Sequence, residues 1–185
     1  VADFNNNADS AAALQNEKLM MEQLVALPQR ILKYHELDSL ADIVLHSLSH
    51  NHCFGLKRAT YLIDNPDFDH LKGVSSFTKE ECPLHKEDLW QAPESFHQDM
   101  SSAEYHNKIR GYLKNSLKKK DIDLHNAQDI KDLGHDLGME NPSFHCWHMK
   151  HGNHGLLIFE KEKQLDLWQN YLLNNFSALL SMCAH

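Results

Sequence analysis

Long apolar runs are missing from this chain. No stretch reaches the roughly 20 residues needed for a helix to cross a bilayer, and the opening residues hold no leader-like apolar segment. No helical membrane insertion is therefore expected. Cysteine is scarce: Cys53, Cys82, Cys146 and Cys183 lie far apart without a C-x-x-C pair, which reads as reduced thiols in a cytoplasmic protein. Glycine is scarce too, and its seven copies build no phosphate-cradling loop and no nucleophile elbow. Basic residues are outnumbered 18 to 26. The resulting formal charge of −8 opposes nonspecific nucleic-acid binding, which draws its affinity from Lys and Arg against phosphates. The one basic cluster, Lys114 with Lys118, Lys119 and Lys120, falls at the end of an expected helix, where cations complement the helix dipole.

Histidine, by contrast, is abundant. Protonating all fifteen copies would carry the formal charge from −8 to +7, so solubility is expected to change strongly between about pH 7 and pH 5. At 185 residues the chain suits one domain able to bury roughly 70% of its unfolded surface. It begins at Val1 and opens on Asn5-Asn6-Asn7, a polar start that reads as a piece of a longer protein. Residues 1–21 are expected to form a helical lead-in or linker, and residues 22–185 the domain.

The strongest local pattern is near the end. Phe144–Lys150 and Gly155–Glu160 flank Gly152-Asn153, the kind of pair that closes a two-residue hairpin. With that turn, His151 faces His154, Met149 opposes Leu156, Trp147 opposes Ile158 and Cys146 opposes Phe159. Both faces of the pair are then largely apolar, which places it centrally in a sheet covered on both sides. The segment Gln164–Cys183 follows as a helix with Leu165, Trp168, Leu172, Phe176, Leu179 and Cys183 on one stripe.

Upstream, Leu14, Met21, Leu24, Leu27 or Val25, and Ile31 recur at helical spacing from about Ser10 to Lys33, with Pro28 able to kink or restart the helix. Ser39 with Asp42 resembles a capping box opening a second helix to about His50. Arg58–Ile63 reads as a strand that turns at Asp64-Asn65-Pro66, and His70–Phe77 as its antiparallel return. Thr78–Ser95 reads as an irregular loop anchored by Trp90. Ser101-Ser102-Ala103-Glu104 reads as the cap of a helix of about 17 residues, Asp121–His125 as a short strand, and Ile130, Leu133 and Leu137 as the face of a further helix. The whole is α+β, a mainly antiparallel sheet bracketed by terminal helices.

Three stretches carry a family resemblance: Leu37-Asp38-Ser39-Leu40-Ala41-Asp42-Ile43-Val44, Phe54-Gly55-Leu56-Lys57-Arg58-Ala59-Thr60-Tyr61-Leu62, and His154-Gly155-Leu156-Leu157-Ile158-Phe159 with its leucine-rich helix. Together with the element order they resemble a GAF domain. The Gly-Leu-x-Arg-Ala turn is similar to the GAF-like region that follows HDOD domains in bacterial signalling proteins. The resemblance implies an antiparallel sheet of about six strands with terminal helices on one face and, on the other, loops, a helix and a small-molecule pocket. It also implies a sensory or regulatory module. The leading expectation is one without catalysis, a homodimer through the terminal helices with a neighbouring domain as partner; the alternatives are a dimerisation scaffold without ligand and a His-rich haem or metal sensor. Related domains bind cyclic nucleotides, tetrapyrroles, haem or small metabolites, and the sequence does not choose among these or any other cofactor.

Tyr61, Phe77, Trp90, Trp147 and His148 are the candidates for lining a pocket, since ligand sites are mostly apolar with a few polar groups. Against them stands the ordinary reading of core aromatics. His145, His148, His151 and His154 with Cys146 form the densest set of potential ligands for a metal or haem, but strand alternation sends His145 and His148 to opposite faces, and no metal site is expected. Cys82-Pro83-Leu84-His85 lies in the region that attaches bilins in some GAF domains, without the adjacent Cys-His pair of those proteins. His50-Asn51-His52-Cys53 and His135-Asp136 lack the companions that a nuclease or a phosphohydrolase needs.

Overall fold

The computed structural model describes residues 3–81, 89–117 and 127–183, with side chains from residue 14 onward. Helices α1 (Asp3–Lys33) and α2 (Leu40–Ser49) lead into strands β1 (Leu56–Asn65) and β2 (His70–Thr78). Then come α3 (Pro93–Ser102), α4 (Glu104–Arg110), the two-residue β3 (Leu113–Lys114) and α5 (Ala127–Asp136). Strands β4 (Ser143–His148) and β5 (His154–Lys161) precede α6 (Leu167–Ser177), which tightens into a 3-10 turn over Ala178–Met182. The sheet has the order β3-β2-β1-β5-β4, and every pairing is antiparallel. The described residues thus hold five strands; Asp121–His125 lies outside them.

Side-chain alternation along β1 builds the layers. Ala59 and Tyr61, with Phe77, Leu157 and Phe159 from neighbouring strands, pack against Leu24, Ile43, Phe96 and Leu172 of α1, α2, α3 and α6. Leu62, with Leu71, Leu156 and Ile158, packs on the other face against Ile109 of α4 and Ile130 and Leu133 of α5. Each such fully buried Leu, Ile or Phe is worth about 1.5–3 kcal/mol. The fold is therefore α+β, with the chain's two ends sharing one face. Helix α4 also lies close along β2: the Gly73 N–H donates to Tyr112 O at 3.0 Å, and a Cβ at Gly73 would collide with the Ile109 carbonyl. The edge left open by the short β3 is covered in this way.

The closing hairpin differs from its expected register. Ser143 pairs with Phe159, Cys146 with Leu156, Trp147 with Gly155 and His148 with His154, three residues away from the two-residue arrangement. Positive φ falls on His151 (60°) and Gly152 (71°), while Asn153 stays at −71°. The loop is longer, and Met149 N–H closes it on Asn153 O at 2.8 Å. An odd shift exchanges the faces on which partners meet. The pair is also not central as a unit: β5 lies inside the sheet and β4 forms its edge among the described strands.

Other expectations shift for local reasons. Helix α1 runs through Pro28 unbroken, and its buried row is Met20, Leu24, Leu27 and Ile31, leaving Leu14 and Met21 outside. The helix of about 17 residues expected from Ser101 is only α4, and Lys114 lies in strand β3 and not at a helix end, while α3 ends where that helix was to begin. The Ser101 and Ser102 hydroxyls donate back to Gln98 O and Asp99 O and so end α3, while α4 stops after seven residues at Gly111. Ser39 makes no capping bond, because its φ of −91° and ψ of 10° are not those of an extended cap. The Asp42 carboxylate turns instead toward α4.

Candidate functional site

Four of the five pocket candidates meet in the terminal-helix layer. Tyr61, Phe77 and Trp90 are buried, and Trp147 packs partly buried against them. The Tyr61 and Trp147 rings stack at 5.7 Å, and the Tyr61 hydroxyl points at Met149 Sδ, 3.8 Å away. Trp90 Nε1–H donates to Ser47 Oγ of α2 at 3.1 Å, and its ring lies under the Arg30 guanidinium. Phe77 meets the His46 ring edge-on at 5.0 Å. These aromatics share a core with α1, α2 and α6. His148 stands apart, exposed at the end of β4 on the opposite face from Trp147. Its ring lies 4.8 Å from His154, so the histidine pair at the turn is 148 with 154 and not 151 with 154.

The other face carries a polar block that the sequence reading did not single out. Arg58 and Thr60 alternate with the core residues of β1. Thr60 Oγ1 shares a 2.9 Å hydrogen bond with Tyr105 OH, which also donates to Leu137 O at 3.2 Å. The Arg58 guanidinium lies 4.9 Å from the Tyr105 ring centre and donates to Gly138 O. Glu160, buried opposite Arg58, accepts from the backbone N–H groups of Glu140 and Asn141 at 3.3 Å and pairs with Lys57 at 3.4 Å. Burial raises the Tyr105 phenol, against the lowering effects of Thr60 and Arg58. The sequence signal was present: the polar residues Arg58, Thr60 and Asp64 share one face of β1, interrupted there only by Leu62.

A second buried polar centre joins α2 to α4. Asp42 is 2% exposed; its Oδ1 lies 3.7 Å from His106 Nδ1 and its Oδ2 3.8 Å from Arg110 Nη1. Both distances exceed a direct hydrogen bond, and neither Oδ1 nor Nδ1 has another partner. Burial raises the Asp42 carboxyl, against His106, Ser75 and Arg110. Burial likewise lowers His106, against the pull of Asp42.

The described thiols, Cys53, Cys146 and Cys183, are poor nucleophiles. Burial pushes Cys53 and Cys183 up to about 12 and raises Cys146, far from the thiolate that reactive cysteines need. Among the described residues no three His, Cys, Asp or Glu side chains gather as a metal site; Cys82 and His85 lie outside them. Large apolar side chains do face outward on the terminal helices. On α1 these are Leu14, Met21, Val25 and Leu32; on α6, Leu167, Trp168 and Tyr171, the last two stacked at 5.6 Å. No protein-family model matches the chain, and no curated protein matches it.

Proposed function

We propose that the chain is a non-enzymatic, GAF-like regulatory domain of a bacterial signal-transduction protein that pairs with a second copy through its terminal helices. The outer surface of α1 carries this reading. Its exposed apolar residues Leu14, Met21, Val25 and Leu32 follow steps of seven, four and seven, the seam spacing of a coiled coil. They lie beside the inward row Met20, Leu24, Leu27 and Ile31, so one helix has both a domain face and a partner face. A small ligand acts in this reading by favouring one of two packings of α1 and α6, which then bias a neighbouring domain. Such coupling needs different affinities for the two packings. The double cover of an antiparallel sheet supports the GAF-like part, and the raised thiols of Cys53, Cys146 and Cys183 speak against cysteine-based catalysis at those positions.

Sedimentation equilibrium tests the pairing. The chain is expected to be dimeric at about 100 μM. The double variant Val25→Lys, Leu32→Lys is expected to be monomeric with an unchanged circular dichroism spectrum, because both side chains are exposed in the single chain, and to lose only the concentration-dependent part of the melting temperature. A monomeric parent chain at that concentration would sink the proposal.

A further inference from the structure

Where the turn between α1 and α2 meets the start of α3, the surface forms an open groove of about 330 Å³ lined by Leu37, Asp38 and Ser39 on one side and Pro93, Glu94 and His97 on the other. Two ten-residue helices begin at this groove: Ser39 immediately precedes α2, and Pro93 and Glu94 open α3. Free N–H groups and the helix dipole make each such end electropositive. Two of them on one concavity favour an anion, yet the acidic residues Asp38 and Glu94 are among those that line the same groove. A simple anion meets their repulsion, and a simple cation meets the two helix ends. A molecule with both signs a few ångströms apart satisfies both.

Ser39 supplies an observation independent of the helix ends. The residue is only 5% exposed and lines the groove, and its hydroxyl makes no capping bond. A serine in this position ordinarily bonds its own helix. Its free hydroxyl is both a donor and an acceptor for an occupant. The volume, at the small end of ligand sites, matches a single small metabolite.

We propose that this groove binds a free α-amino acid, with the carboxylate at the start of α2 and the Ser39 hydroxyl and the ammonium against Glu94 and Asp38. The site goes beyond the dimer reading and stands without it. The test is calorimetry and ligand-observed NMR on the whole chain at neutral pH. The proteinogenic α-amino acids are added one at a time, with acetate and methylammonium as probes of a single sign. At least one amino acid is expected to bind saturably with Kd below about 1 mM, and the single-sign probes to bind at least tenfold more weakly. Ser39→Ala and Glu94→Gln are each expected to weaken binding about tenfold or more, as loss of a hydrogen bond to a charged group does. Glu94 is exposed, so its variant keeps the fold, and circular dichroism checks Ser39→Ala. No saturable binding of any amino acid up to about 10 mM overturns the proposal. So does unchanged affinity in Glu94→Gln, or acetate binding as tightly as the amino acid.

Discussion

His145 is held neutral by its surroundings. Its ring lies 5.1 Å from that of Phe159, its Nε2 is buried without a hydrogen bond, and burial, aided by the Lys161 charge, lowers its pKa to about 4. An unfolded histidine titrates near 6.5. Between those values the unfolded chain binds more protons, so stability rises with pH through the window and is lost as pH falls from about 6.5 to about 4. The full shift corresponds to about 3 kcal/mol, and solvent contact at a half-buried ring reduces this to about 1–2 kcal/mol. Urea titrations at neutral and mildly acidic pH check it: His145→Phe is expected to flatten the pH dependence of the midpoint, and an unchanged slope would assign the effect to other groups. The sequence placed His145 on a strand and on the face opposite His148. It did not place Phe159 beside it, because that contact depends on a register set by the left-handed His151 and Gly152, which a Gly-Asn pair does not announce.

At the scale of elements, legibility followed local chemistry. Helices α2 and α5 and strands β1 and β2 fall close to their expected ranges, since each combines a clear apolar period with turn residues at its ends. The junction of α3 and α4 did not. Two serines followed by Ala-Glu suit a helix start and a helix end equally, and the choice is made at a distance by the packing of Ile109 against Gly73. The pocket candidates were recognised as large aromatics, but which face they occupy follows from strand parity and from which helices cover it. One signal was local and overlooked. Asp166 Oδ1 accepts from the Gln169 N–H at 2.7 Å, and Gln169 Oε1 accepts from the Asp166 N–H at 3.2 Å, a reciprocal capping box that starts α6. Asp166→Ala is expected to cost about 1 kcal/mol. Chemical denaturation reads that directly, and a variant as stable as the parent would show that α6 is held by its buried Leu172 and Leu173 alone.

For the molecule as a whole, the fold changes how many protons the chain carries. Burial lowers the described histidines His50, His106 and His145, each of which would take up a proton near pH 6.5 in the unfolded chain. In mildly acidic solution the native protein therefore carries up to three fewer positive charges than the unfolded one. Asp42, raised by burial, offsets at most one of them by holding its own proton. Glu80, lowered chiefly by the Thr78 hydroxyl, acts in the same sense as the histidines. The sequence value of about 6.0 is thus the isoelectric point expected of the unfolded chain, and the folded protein is expected to focus at a lower pH. Isoelectric focusing with and without urea makes the comparison on one sample. A native band at the same or a higher pH would contradict the burial of these imidazoles. Because the unfolded state binds the extra protons, the same groups make acid destabilising. The solubility minimum, which follows net charge, is then expected at the native focusing point, where acid has already begun to weaken the fold.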